Sequence, residues 1–144
     1  MIYSVDVEIT APVNDTEVTD RVVDAITNLF PEADVVEQPG EVVATTHQLE
    51  HFSDRLHAQE ILDTARGQFQ AEMDGDAFAF ALKKQAAFQG VVNFAVGNPD
   101  ELGDIHVRVR VEDPTVEAFV DYVAPPTEDG RPVTSDAEDR GPAN

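Results

Sequence analysis

Apolar and polar residues alternate over positions 3–11, the pattern of a strand with one buried face. The apolar members are Tyr3, Val5, Val7, Ile9 and Ala11. From position 18 to 29 the apolar residues instead recur every three or four positions, which predicts a helix. Asn14 or Asp15 can cap its start, and Pro31 ends it. The chain therefore begins with a strand followed by a helix.

The middle of the chain predicts a hairpin and a longer helix. Two β-branched runs, 34–37 and 42–46, flank the turn sequence Gln38-Pro39-Gly40. From Leu49 the pattern turns helical, and an apolar stripe at helical spacing extends over 58–73, interrupted only by Gly67.

Three further strands and a last helix complete the predicted order. The strands are expected at 78–82, 91–96 and 105–111, with a short helical turn at 83–88 that Gly90 closes. Asp113 is the expected cap of the final helix, with Pro114 as its first residue. The order β-α-β-β-α-β-β-β-α predicts an α+β fold in two layers, with helices on one face of a largely antiparallel sheet. We expect one domain over 1–124 and a disordered acidic tail over 125–144.

Acidic residues dominate the charge of the chain. Twenty-nine Asp and Glu stand against nine Lys and Arg, for a formal net charge of -20. The acidic residues are spread over the whole sequence, which is typical of a halophilic cytosol where salt screens their repulsion. The alternative, a nucleic-acid mimic or a protein that captures basic partners, would need a dense acidic cluster. The sequence shows none.

Composition also excludes several kinds of site and location. The absence of cysteine excludes disulfides, thiol nucleophiles and thiolate metal sites. We find no secretory signal and no apolar run long enough to span a bilayer. These features predict a soluble, cytoplasmic protein without membrane partners.

One motif matches a metal-binding pattern. His47-Gln48-Leu49-Glu50-His51 fits H-x-x-E-H, in which two histidines of one helix bind zinc and the glutamate activates water. His47, however, is predicted at the end of a strand, before the helix begins. We therefore favour surface histidines, and the sequence predicts no catalytic residue, no metal and no cofactor.

The most informative basic residues lie on the last predicted strand. His106, Arg108 and Arg110 alternate with its apolar residues and so project from one face of the sheet. Arginine forks bind phosphates and stack on bases, which makes this stripe a candidate RNA contact. Lys83, Lys84 and Gln85 extend it if their turn lies at the same sheet end. In the alternative, Asp6 and Glu8 on the first strand neutralise the arginines as cross-strand ion pairs.

Two distinctive blocks of the sequence resemble a known family. They are I-L-D-T-A-R over 61–66 and K-Q-A-A-F-x-G-x-V-N-F over 84–94. Together with Leu102-Gly103-Asp104-Ile105, they resemble a family of uncharacterised archaeal proteins of the UPF0201 type, which is predicted to bind RNA. The resemblance covers Tyr3 to Val111. It implies a fold similar to that of ribosomal protein L-five, with helices on one side of an antiparallel sheet.

The resemblance carries over to individual positions. The matching residues are Asp63, Thr64, Arg66, Lys84, Gln85, Asn93 and Gly103. The chain departs from the family at Lys83, where the family has Asn, and near His57, where the family has a basic residue. With the arginine stripe, the candidate RNA-binding residues are Arg66, Lys83, Lys84, Gln85, Asn93, His106, Arg108 and Arg110.

Ordinary structural roles are open for several of these positions. Asp63 can pair with Arg66 on the helix surface, Asn93 can satisfy backbone groups at a strand end, and Gly103 suits a turn.

The leading functional hypothesis is thus a non-catalytic RNA-binding domain. The alternative is a protein-interaction or regulatory module that partners a P-loop nucleotide kinase, because relatives resemble the second half of fusions with a kinase similar to dephospho-coenzyme A kinase. A third hypothesis, a metal-dependent hydrolase at His47, Glu50 and His51, is remote. An open sheet edge would permit a dimer.

Overall fold

The computed structural model describes residues 3–97 and 103–128, and the backbone of 131–132. A six-stranded antiparallel sheet has the order β2-β3-β1-β6-β5-β4. Its strands are β1 (Ser4–Pro12), β2 (Asp34–Gln38), β3 (Glu41–Thr46), β4 (Met73–Asp74), β5 (Ala77–Lys83) and β6 (Asp104–Asp113). The helices of the described residues are α1 (Thr19–Leu29), α2 (Glu50–Ala58), α3 (Leu62–Ala71), α4 (Lys84–Ala87) and α5 (Val116–Val123). The predicted α+β class is confirmed, whereas the likeness to ribosomal protein L-five stays a prediction.

The hydrophobic core lies between the sheet and the helices. Alternate residues of the central strands β1 and β6, such as Val7 and Val109, are buried. Phenylalanine rings from both layers pack in a row. The ring centroid of Phe80 on β5 lies 5.3 Å from the ring centroid of Phe52 and 5.0 Å from that of Phe69. Because these residues cover only one face of the sheet, the opposite face is left to polar and small side chains.

The helical pattern predicted from Leu49 through the stripe over 58–73 forms two helices, α2 and α3, and not one. Glu60 adopts a positive φ of 57° and ends α2. The backbone N–H of Ile61 donates to Leu56, and that of Glu60 donates to His57, the hydrogen bonds of a Schellman ending. The side-chain amide of Gln59 meanwhile makes two hydrogen bonds with the backbone of Val92, at 2.9 and 2.8 Å. This long-range contact has no signal in the local apolar pattern.

The prediction of a strand at 91–96 is wrong because the same long-range contact, between Gln59 and Val92, holds this segment. Only Phe94 forms a bridge, with Leu82. Two hydrogen bonds connect the segment to the edge of β5, from Lys83 N to Asn93 O at 2.8 Å and from Ala95 N to Ala81 O at 2.9 Å. Because Val92 is held by Gln59, the segment follows β5 without forming a regular strand.

The helix caps also differ from the sequence prediction. Asn14 does not cap α1, which begins only at Thr19; its backbone N–H and side-chain amide donate to the Glu17 carboxylate. The cap of α5 is Thr115, whose hydroxyl accepts from Ala118 N at 3.0 Å, while Asp113 still belongs to β6.

Part of the predicted tail has structure. Two short strands, β7 (Thr127–Glu128) and β8 (Arg131–Pro132), pair with each other, and the Thr127 hydroxyl donates to the Asp63 carboxylate. Residues 129–130 and 133–144 of the predicted tail lie outside the described residues. The domain boundary at 124 stays a prediction.

A buried ion pair connects the sheet to the helical layer. The Lys84 ammonium donates to Pro12 O at 2.7 Å and to the two Glu17 carboxylate oxygens at 3.0 and 3.2 Å. The side chains of Lys84 and Glu17 are only 2% and 8% exposed. The pair therefore joins the end of β1, the approach to α1 and the start of α4.

The pKa of Glu17 lies below its ordinary value. Burial alone would raise this pKa, but hydrogen bonds from Asn14 and Lys84, together with the charge of Lys84, outweigh burial. Since the folded-state pKa is depressed, the carboxylate stabilises the fold above its unfolded pKa. That contribution is lost as the pH falls through the folded value.

We expect Glu17→Gln to lower the free energy of unfolding by about 3 kcal/mol at pH 7, because it leaves a buried ammonium without a counter-ion. The stability of the wild type should decrease below pH about 4.3, the ordinary glutamate pKa. This decrease should be smaller in the variant, which has no carboxyl group at position 17 to protonate. Urea unfolding at neutral and acidic pH measures both effects.

Glu37→Gln is the matched control, since Glu37 is exposed on the edge strand β2. It should leave the free energy of unfolding within about 0.5 kcal/mol of the wild type. Equal losses in the two variants would contradict a structural role for the buried pair.

Candidate nucleic-acid interface

The face of the sheet opposite the helices, here the open sheet face, carries the predicted arginine stripe. His106, Arg108 and Arg110 of β6 are all exposed on it. β1 pairs with β6 in a register that places Thr10, Glu8 and Asp6, respectively, opposite these residues. On the other side of β6 stand Ala81, Ala79 and Ala77 of β5. The stripe is thus bordered by carboxylates on one side and by small side chains on the other.

Arg110 is neutralised as the alternative hypothesis predicts. Its guanidinium donates to Asp6 Oδ2 at 2.9 Å and lies 3.8 Å from Asp76 Oδ2. The side chain is still 45% exposed. The Arg110 side chain is therefore partly exposed to solvent, but the carboxylates of Asp6 and Asp76 neutralise its charge.

Arg108 behaves differently, although Glu8 stands directly opposite it in the register. Within the described part of the chain, Arg108 forms no ion pair. Asp6, the other carboxylate on this stretch of β1, is already bound to Arg110. Arg108 is consequently the residue of the stripe whose guanidinium remains available for a ligand.

A groove of about 400 Å³ lies beside Arg108 on the β5 side. Among its lining residues are Glu8, Thr10, Ala79, Ala81, His106 and Arg108. The two alanines leave room above the sheet that larger residues would fill. A second depression of about 400 Å³ borders Arg108 on the β3 side and includes Thr45 and His47. Arg108 therefore stands between two open depressions.

Lys83 and Asn93 lie at one end of the same region. Lys83 is the last residue of β5, pairs with Asp104 in the sheet and is half-buried. It shares the open sheet face with Ala79 and Ala81, since side chains alternate along a strand. Asn93 is exposed, and its backbone carbonyl accepts from Lys83 N. Both residues extend the stripe toward this end of β5.

Arg66, Lys84 and Gln85 lie elsewhere. Arg66 joins α3 to α5, with Nη1 2.6 Å from Asp121 Oδ1 and 3.1 Å from Ala124 O. Its predicted partner Asp63 instead accepts a hydrogen bond from Thr127. Lys84 is buried in its pair with Glu17 and has no surface for RNA.

Gln85 is exposed on α4 and lines a cleft with Arg21 on the helical side. The structure therefore does not bring Arg66, Lys84 and Gln85 together with the arginine stripe.

The two histidines of the H-x-x-E-H motif are positioned by different elements. His47 follows β3, with Nδ1 3.0 Å from Val5 O and 3.3 Å from Asp6 Oδ1. His51 belongs to α2 and lines a groove between helices. Over residues 3–97 and 103–128, no group of three or more His, Cys, Asp or Glu is placed to hold a metal ion.

Sequence reasoning missed two cations on the helical side of the molecule. Arg21 and Arg55 form no ion pair with other described residues, and Arg21 lies over the ring of Phe88 at 5.3 Å from its centroid. In the sequence, only the scarcity of basic residues draws attention to Arg21 and Arg55, because the residues around them in the fold come from distant parts of the chain.

No helix in the described ranges is both long and apolar enough to cross a membrane.

Comparison with known proteins agrees with the resemblance of the sequence. A family model described as RNA binding matches residues 6–111. A UPF0200/UPF0201 protein of Archaeoglobus fulgidus is 37% identical, and the match includes 90% of this chain but only 40% of that protein. A UPF0201 protein of Aeropyrum pernix is 34% identical, over 90% of this chain and 91% of its own length.

A solved structure shows the same fold. The crystal structure of the UPF0201 protein from Methanococcus jannaschii superimposes with a TM-score of 0.84 at 34% identity. The match covers 90% of this chain and 99% of that one. Because the family model and these relatives each match most of the chain, the chain belongs to the archaeal UPF0201 family.

Proposed function

We propose that this protein is a non-catalytic RNA-binding domain that contacts RNA with the open sheet face around Arg108. The observation that carries the proposal is an exposed guanidinium, without an ion-pair partner among the described residues, beside a groove of about 400 Å³. In a chain with a net charge of -20, Arg108 is one of the few cations that no carboxylate of the described residues neutralises. The family model, described as RNA binding, covers this face.

The chemistry of the face suits single-stranded RNA. An arginine fork can pair with a phosphate or stack on a base, and His106 and Thr10 add hydrogen-bonding groups on the groove wall. Ala79 and Ala81 leave space for a flat base. Apart from the histidines, the described residues of this face carry no aromatic ring, so stacking would rest on Arg108 and not on an aromatic platform.

The acidic surface sets the conditions of binding. We place the protein in the cytoplasm of a halophile, where salt suppresses the gain from counter-ion release. Specific hydrogen bonds and stacking at the groove would then supply most of the affinity. Lys83 and Asn93 belong to the proposed surface, whereas Arg66 and Lys84 support the fold.

We expect Arg108→Ala to weaken binding of a fluorescent single-stranded RNA of random sequence about tenfold, because the principal free cation of the face is lost. Arg110→Ala should have a smaller effect, since Asp6 and Asp76 already engage this guanidinium. Fluorescence anisotropy in potassium chloride measures both affinities.

Two further variants test whether the effect is local. Arg21→Ala removes the same charge from the helical side and should leave RNA binding unchanged. Glu8→Gln removes the carboxylate opposite Arg108 and should strengthen it. Equal losses in Arg108→Ala and Arg21→Ala, or no RNA binding by the wild type at any salt concentration, would contradict the proposal.

The proposed halophilic environment has a separate test. Raising potassium chloride from about 0.1 M to 1 M shortens the screening length from about 10 Å to 3 Å, which weakens repulsion among the carboxylates. We expect the melting temperature to rise by about 3 °C or more, corresponding to a stabilisation of about 1 kcal/mol.

Thermal unfolding of a variant with Asp34→Asn and Glu37→Gln provides the control. Both residues are exposed on β2, so the variant should show a smaller dependence on salt. A melting temperature that stays constant or falls as potassium chloride is added would be evidence against a halophilic origin of the acidity.

The alternative function is a regulatory module that partners a P-loop nucleotide kinase. Its supporting observation is the Archaeoglobus relative, of whose length this chain spans only 40%. Under this alternative, the wild type would bind a nucleotide kinase and no RNA.

The edge strand β2 also leaves a surface on which a second copy could pair.

A further inference from the structure

The helical side of the molecule contains an open groove of about 460 Å³ that the arginine stripe does not reach. It lies where α1, α2 and the turn after α4 meet. The lining residues are Asn28, His51, Arg55, Phe88, Gln89 and Gly90. None of them is acidic, which sets this groove apart in a chain with twenty-nine carboxylates.

Arg55 is the central cation of the groove. It is half-buried on α2, and its Nε is buried without a hydrogen-bond partner among the described residues. It also forms no ion pair within that part of the chain. A buried polar N–H without a partner costs free energy, and the side chain that carries it lines the groove.

His51 stands next to Arg55 on the same helix face, because residues four apart are neighbours on an α-helix. The acidic residues of this helix, Glu50 and Asp54, do not line the groove; they are also four apart and so share a different face of α2. One face of α2 is therefore basic and the other acidic.

The remaining walls add an amide and a ring. The Asn28 amide donates to Ala87 O at 3.0 Å and to Phe88 O at 3.2 Å, which fastens the turn after α4 to α1. Gln89 follows this turn and is exposed. Arg21 lies over the Phe88 ring and forms no ion pair with the described residues, so a second unpaired cation stands at the border of the groove.

We propose that this groove binds a phosphorylated ligand, with its phosphate held by Arg55 and His51 and its organic part against Phe88. Arginine presents a fork that matches phosphate oxygens. The volume of the groove exceeds what a single ion needs, since a water molecule occupies about 30 Å³ of the liquid, and it falls in the range of small-molecule sites.

Binding of adenosine 5′-monophosphate, inorganic phosphate and adenosine, followed by the amide resonances of His51 and Gly90, tests the assignment. We expect the monophosphate to bind more tightly than phosphate, and adenosine to bind more weakly than either. Arg55→Gln should weaken binding of the monophosphate about tenfold or more, because it removes a charge-assisted hydrogen bond.

His57→Gln is the matched control, since it removes a basic side chain from another part of α2, where His57 is exposed and lines a separate cleft, and it should leave monophosphate binding unchanged. Arg55→Lys keeps the charge and the aliphatic stem but loses the fork, so it guards against a folding defect and should restore only part of the affinity.

The same variants distinguish the source of the phosphate. If RNA binds in an Arg55-dependent manner and the monophosphate does not, the phosphate belongs to a nucleic acid chain that also reaches this groove. Adenosine binding as tightly as its monophosphate would overturn the proposal. The absence of any Arg55-dependent binding of phosphate, monophosphate and RNA would do so as well.

Discussion

The buried ammonium of Lys84 is the constraint on which the arrangement of the two layers depends. An isolated charge in a protein interior is costly, so the fold must keep both the Glu17 carboxylate and the Pro12 carbonyl within hydrogen-bonding distance. This requirement holds the end of β1, the approach to α1 and the start of α4 together. Nearby, Gly103 lies so close to Pro12 that a Cβ there would stand 2.5 Å from Pro12 Cγ. The same end of the sheet is thus closed by charge pairing and by tight packing.

Packing all helices on one side determines where function can lie. The apolar faces of β1, β5 and β6 are used by the core, and the opposite face carries the polar residues of β1 and β6 and the alanines of β5. Ion pairs then separate the few cations into two groups. Lys84, Arg66 and Arg110 are bound to carboxylates and support the structure. Arg108 and Arg55 are not paired within the described residues, and each borders an open groove on its own side of the molecule.

Local patterns predicted most of the architecture. The period-two alternations of β1 and β6 are confirmed, as are the hairpin of β2 and β3 and the short helical turn before Gly90. Two of the failures, the single helix predicted from Leu49 and the strand predicted at 91–96, share one cause. Gln59 hydrogen-bonds to Val92, thirty-three residues away in the chain, and this contact accompanies both the end of α2 and the irregular course of 91–96. Periodicity reports which residues are apolar, but not which polar side chain replaces a backbone hydrogen bond at long range.

The amino-acid sequence by itself determined the fold class, the family and the placement of His106, Arg108 and Arg110 on one face, because alternation along a strand is a local property of the backbone. It also showed that Asp6 and Glu8 could neutralise the stripe. Only the tertiary structure decided that Arg110 is paired, that Arg108 is not, that Lys84 is buried and that Arg55 stands in a groove without carboxylates. The state of each cation depends on which distant carboxylates the strand register and the helix packing bring near it.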